Sequence, residues 1–230
     1  MHLRSVLLVF GSALLMEVSD GIINSAKLDS SNSYMIFPQE PGTAYVKVTP
    51  IKDTNFTALT LCVRALTDLW KNYSIFSYST SSGKNDLLLV RKSVGEYQVH
   101  IGGNAVTFDA LDGLQIWNYV CITWDSSTGL VGLWVNGRRL VRKVLSKGYT
   151  IQPGGVTILG KEQDKLEGGT DNVQSYVGEL NCVNQWDYVL PPFKIRDSKY
   201  GGCELSGNVI GWGTLNYVAV GYVVVVKNED

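Results

Sequence analysis

Alternation of apolar and polar residues runs through most of this chain. Leu59, Leu61, Val63 and Ala65 alternate with Thr60, Cys62 and Arg64, and Val120, Ile122 and Trp124 alternate with Tyr119, Cys121 and Thr123. A period of two places each set on one face of a half-buried strand. Cys62 and Cys121 then lie on the more polar faces, which suits a bridge between strands of one sheet. Shorter runs predict further strands at 45–48, 74–78, 87–90, 97–101 and 156–159. Residues 130–144 read as a hairpin turning at Asn136-Gly137, a pair suited to a two-residue turn. The run 218–226 is strand-like. One helix is predicted at about 192–200, opened by Pro191-Pro192 and stopped by Gly201-Gly202. Many strands, one helix, no internal repeat and no linker argue a single all-β, antiparallel sandwich.

The first residues break this pattern. Met1 to Arg4 is a short basic start, residues 6–16 are almost wholly apolar, and Ser19-Asp20-Gly21 offers small residues for cleavage. This predicts a secretory signal peptide over 1–21, a mature domain over 22–230, and a secreted, extracellular product without membrane insertion. Loss of Arg4, Glu17 and Asp20 takes 20 basic and 21 acidic residues to 19 of each. A net charge of zero gives no general attraction to nucleic acid. The chain holds only two histidines, His2 and His100, so a histidine-rich zinc site is excluded and a Ser/His/Asp triad would depend on His100.

Secretion gives the four cysteines their meaning. Cys62, Cys121, Cys182 and Cys203 are an even set without C-x-x-C spacing, so disulfides are expected rather than metal ligation. Asn55-Phe56-Thr57 and Asn72-Tyr73-Ser74 are candidate glycosylation sites. Two loops carry polar chemistry. Residues 79–86 run Ser-Thr-Ser-Ser-Gly-Lys-Asn-Asp, and residues 161–175 hold Glu162, Gln163, Asp164, Glu167, Asp171, Asn172 and Gln174. Oxygen ligands without histidine suit a hard cation such as Ca²⁺. A solvated acidic loop has the same composition, and both readings stand on the residues alone.

The string Cys121-Ile-Thr-Trp-Asp-Ser126 resembles the core of the pentraxin signature, His-x-Cys-x-Ser/Thr-Trp-x-Ser/Thr, with Tyr119 standing where the signature has histidine. Tyr73-Ser-Ile-Phe-Ser-Tyr78, Val94-Gly-Glu-Tyr97, Lys147-Gly-Tyr149, Leu159-Gly-x-Glu-Gln-Asp164, Gln174-Ser-x-Val-Gly178 and Trp186-Asp187 are similar to the family in order. The resemblance spans about residues 37–227. It implies a jelly-roll sandwich of the lectin (concanavalin-like) type that forms a homo-oligomer, with five as the expected number. It further implies a calcium-dependent recognition protein of the acute-phase, innate-immune type, engaging complement and binding phosphorylated or acidic ligands on microbial or damaged-cell surfaces.

By position the resemblance implies up to two Ca²⁺ ions per subunit, held by Asn85, Glu162, Gln163 through its backbone carbonyl, Asp164, Asp171 and Gln174. Lys84 replaces the family's aspartate and is expected to weaken the ion nearest Asn85. Lys84 could turn to solvent, or Asp86 could take the vacant place. The family pairs Cys62 with Cys121, which leaves Cys182 to pair with Cys203 by exclusion. Val90, His100 and Ala105 occupy the ligand-pocket positions where phosphocholine-binding members carry a phenylalanine and a glutamate. Without ring face or carboxylate, weak phosphocholine binding is expected, with phosphoethanolamine or acidic saccharides preferred.

Two other readings compete with this one. The spacing Glu162-x-Asp164-x-x-Glu167 matches acid clusters of some sandwich-fold glycoside hydrolases. Here it runs into a loop without Trp or Tyr, so no catalytic residues are assigned and no enzyme is expected. A laminin-G-like adhesion module shares fold and calcium but predicts a fragment of a longer extracellular chain.

Overall fold

A computed structural model describes residues 25–39, 43–81, 83–163, 175–198 and 203–227. The expected signal segment 1–21 lies outside them. Strands occupy β1 (Ser25–Lys27), β2 (Ser33–Phe37), β3 (Tyr45–Thr49), β4 (Ala58–Leu66), β5 (Tyr73–Thr80), β6 (Gly83–Ser93), β7 (Glu96–Ile101) and β8 (Asn104–Asp109). They continue with β9 (Asn118–Asp125), β10 (Leu130–Val135), β11 (Arg138–Arg139), β12 (Lys143–Val144), β13 (Val156–Leu159), β14 (Gly178–Trp186), β15 (Asn216–Val220) and β16 (Val224–Lys227). Two antiparallel sheets result. The first runs β1-β15-β3-β13-β5-β6-β7-β8; the second runs β11-β10-β9-β4-β14-β2-β16, with β12 also pairing β10.

The predicted alternation is what packs the sheets. Leu59, Leu61 and Val63 of β4 and Val120, Ile122 and Trp124 of β9 all face one core, which they share with Val46, Phe76, Leu87, Leu89 and Val99 of the first sheet. The hairpin turns where expected: Val135 pairs with Arg138, and Asn136 and Gly137 take φ of 51° and 77°. Both residues in the left-handed region is the form that matches strand twist. Asn136 is also fixed through its side chain. Its Oδ1 accepts from Tyr119 N at 2.8 Å, and its Nδ2 donates to Asn118 Oδ1 at 3.2 Å.

A second, smaller core lies on the outer face of the second sheet. Cys62 and Cys121 are directly paired across β4 and β9 and bridged, with Cα atoms 4.1 Å apart. They pack with Tyr119, Trp134, Trp186 and Ile195. Ile195 belongs to α1 (Pro192–Ser198), the predicted helix, and Ser198 Oγ donates to Tyr119 Oη at 3.0 Å. The cysteine face is therefore buried rather than polar, because the helix covers it. Cys182 is bridged to Cys203 beyond the helix, with Cα atoms 4.8 Å apart.

One charge pair is sealed inside. Arg91 Nε donates to Asp112 Oδ2 at 2.6 Å with both side chains essentially unexposed. Asp112 also accepts from Tyr97 Oη and Gly95 N, each at 2.7 Å. Arg91 Nη1 reaches Leu69 O at 3.3 Å, so the network ties strand β6 to the loops on either side.

Candidate metal centre

The outer face of the first sheet carries the residues singled out for binding. Pairing registers set Ile158, Ser77, Leu88, His100 and Ala105 side by side across β13, β5, β6, β7 and β8. Beyond β13 the chain must leave the sheet and return over this face. Gly160 makes the bend at φ 83°, where a Cβ would also lie 2.9 Å from the Phe37 ring. Only glycine satisfies both demands. Lys161 O then accepts from Ser77 Oγ at 2.9 Å. Gln163 is buried and donates from Nε2 to Ser77 Oγ at 3.0 Å and to Val156 O at 2.9 Å.

These contacts bring Glu162 to Asn85, 77 residues apart in sequence: Asn85 Nδ2 donates to Glu162 Oε1 at 3.1 Å. Asn85 Oδ1 is buried and has no hydrogen-bond partner among the described residues. A buried amide oxygen left unpaired is costly, and a cation satisfies it. Beside a carboxylate, that oxygen belongs to the donor set a Ca²⁺ ion takes. The donors present fit such an ion; when bound, it would supply positive charge for a ligand oxyanion. Asp164, Asp171 and Gln174 lie outside the described residues, as do Glu167 and the Lys84 side chain. Among the described residues no three acidic, cysteine or histidine side chains form a metal cluster.

Asp86 is not available to replace the missing aspartate. It is 1% exposed and accepts from Thr80 N at 3.2 Å, from Thr80 Oγ1, and from Tyr149 Oη at 2.6 Å. Asn85, at φ 57°, departs from the extended backbone on which strand alternation rests. Burial, then the hydrogen bond to Asp86 and its charge, push the Tyr149 hydroxyl up to about 12.

The pocket positions share one face but not one row. His100 stands between Leu88 and Ala105, whereas Val90 pairs with Gln98 one step along. Val90 is buried and Ala105 exposed. His100 Nε2 lies 2.9 Å from Gln98 Oε1. Burial, then the positive charge of Lys92, lower its pKa. Sequence reasoning missed Leu88 and Gln98, although the period of two puts both on the His100 face. The candidate sequons differ in exposure: Asn55 is exposed and Asn72 is half-buried.

The sequence profile of the Pentaxin family matches residues 33–227. The chain belongs to the pentraxin family. It is 40% identical over 200 residues to serum amyloid P-component of Mesocricetus auratus, covering 87% of this chain and 85% of that protein. It is 41% identical to mucosal pentraxin of Mus musculus, with coverage of 92% and 94%. Among solved structures, the native heptameric SAP-like pentraxin of Limulus polyphemus superposes with a TM-score of 0.77 at 26% identity, covering 86% of this chain and 96% of that one. The fold of this pentraxin is accordingly the expected jelly-roll sandwich. Among its described residues no helix is long and apolar enough to cross a membrane.

Proposed function

We propose that this pentraxin is a secreted pattern-recognition protein, not an enzyme, that uses Ca²⁺ on the outer face of the first sheet to bind phosphorylated or acidic ligands. The observation that carries this reading is the buried Asn85 Oδ1, without a hydrogen-bond partner among the described residues, beside Glu162 from 77 residues further along the chain. Asp164, Asp171, Gln174 and the Gln163 carbonyl complete the proposed set, with the ion nearest Asn85 the weaker because Lys84 is close in the chain. At an effective dielectric near 20, one unit charge 4 Å away changes the energy by about 4 kcal/mol. Calorimetric calcium titration of the protein, with and without phosphoethanolamine or phosphocholine, tests this. Phosphoethanolamine should bind only with calcium, phosphocholine more weakly, and Lys84→Asp should tighten the weaker calcium step. Ligand binding unchanged in EDTA would refute the reading.

A further inference from the structure

Asn85 owes its orientation to the residue after it. Tyr78 pairs with Leu87 and Thr80 with Gly83, so a step of two residues on β5 is matched by four on β6. Asn85 takes up this surplus with φ 57°, a conformation that asparagine tolerates but does not prefer. Something must hold it there. Gly103 N reaches Asn85 O only at 3.4 Å, and Gly102 N reaches Asp86 O at 3.2 Å.

The strong contacts converge on Asp86. One carboxylate oxygen takes the Thr80 amide and hydroxyl; the other takes the Tyr149 hydroxyl at 2.6 Å. Tyr149 is itself fixed, since its ring lies against Gly102 and its carbonyl accepts from Ser126 Oγ. Two residues, Thr80 on the neighbouring strand and Tyr149 from 63 residues further along the chain, thus grip the side chain that immediately follows Asn85. Charged acceptors make the stronger hydrogen bonds, and donors on fixed strands and loops make a rigid anchor.

We propose that Asp86, clamped by Thr80 and Tyr149, is the positioning residue that locks Asn85 in its left-handed conformation and so aims Oδ1 at a cation. Asp86 spends its own oxygens on the clamp and does not ligate. The inference rests on the calcium reading above. Pre-organisation of this kind raises affinity because the ordering is not left to be done on binding.

The test compares wild type, Tyr149→Phe, Asn85→Ala and the double variant by calorimetric calcium titration, with melting in EDTA as the fold control. Tyr149→Phe should weaken the weaker calcium step roughly tenfold, the loss of one hydrogen bond to a charged group, and leave the tighter step unchanged. In the Asn85→Ala background it should change nothing further, an outcome that general destabilisation would not give. Thr80→Val makes the same comparison from the other arm of the clamp, also if Tyr149→Phe fails to fold. The proposal is overturned if both calcium steps survive Tyr149→Phe, or if the loss is as large without Asn85. No calcium uptake by wild type would instead defeat the calcium reading itself. Loss on Asn85→Ala alone would leave that reading standing and remove only the clamp.

Discussion

Burying the Arg91 guanidinium is tolerable only while Asp112 stays beside it. Removing either partner strands a charge in the interior, which typically costs about 3–5 kcal/mol, whereas replacing both with apolar residues costs far less. Arg91→Met and Asp112→Leu should each lower the urea midpoint sharply, and the double variant should recover much of the loss. Equal, additive losses would show that the pair is not coupled. The expected strand stops at residue 90, one short of this arginine, which shares a face of β6 with Leu87 and Leu89. Its partner was not legible either, because Asp112 comes from a loop whose position no periodicity fixes. At His100 the pH dependence has a definite sign. Its folded pKa lies below the ordinary 6.5, by burial first and Lys92 second. Its stabilising contribution is therefore present above pH 6.5 and is lost as pH falls through the lower folded value, where the unfolded chain binds the proton first. His100→Gln should flatten this acid limb in thermal melts between pH 5 and 7, about the range in which histidine titrates; an unchanged limb would assign it to the carboxylates.

Two bridges act on different elements. Cys62–Cys121 closes 59 residues and joins the middle of two neighbouring strands; Cys182–Cys203 closes 21 and spans the connection that contains α1. Loop-closure entropy alone assigns about 4 kcal/mol to the first and about 3 kcal/mol to the second. A Cys182→Ser/Cys203→Ser variant should lose about that much stability and show faster amide exchange in α1 and at Tyr119 than in β5 or β6. Uniform acceleration across both sheets would mean that the bridge supports the whole fold rather than the helical cover. Strand positions were readable because packing two sheets enforces a period of two. The left-handed backbone at Asn85 interrupts the extended strand without any change in composition, so no period announces it. Three-residue β1, two-residue β12 and the single turn at Trp212–Thr214 are too short to carry a period of their own. The encounter of Asn85 with Glu162 was reached only through family resemblance, since contacts between segments distant in sequence leave no local trace.

The two outer faces of the molecule are unlike: one is sealed by α1 and the second core, the other carries the candidate site. Any closed ring of such subunits is generated by rotation about one axis, so every candidate site points the same way. The expected ring of five should scatter light at about five times the subunit mass, and a stable monomer at micromolar concentration would contradict it. The Limulus neighbour is a heptamer. Such a ring should hold a phosphoethanolamine-coated surface far more tightly than free phosphoethanolamine, by effective concentration alone. The Asn136-Gly137 turn bears on how long such a molecule stays chemically intact. An asparagine before glycine is prone to deamidation, because the following amide nitrogen can attack the side-chain carbon and expel ammonia. In this turn that side chain is tied to Tyr119 N and Asn118 Oδ1, and both bonds must break before it can turn to be attacked. The folded protein should therefore age slowly at this pair, while a peptide of the same sequence converts readily to aspartate and isoaspartate.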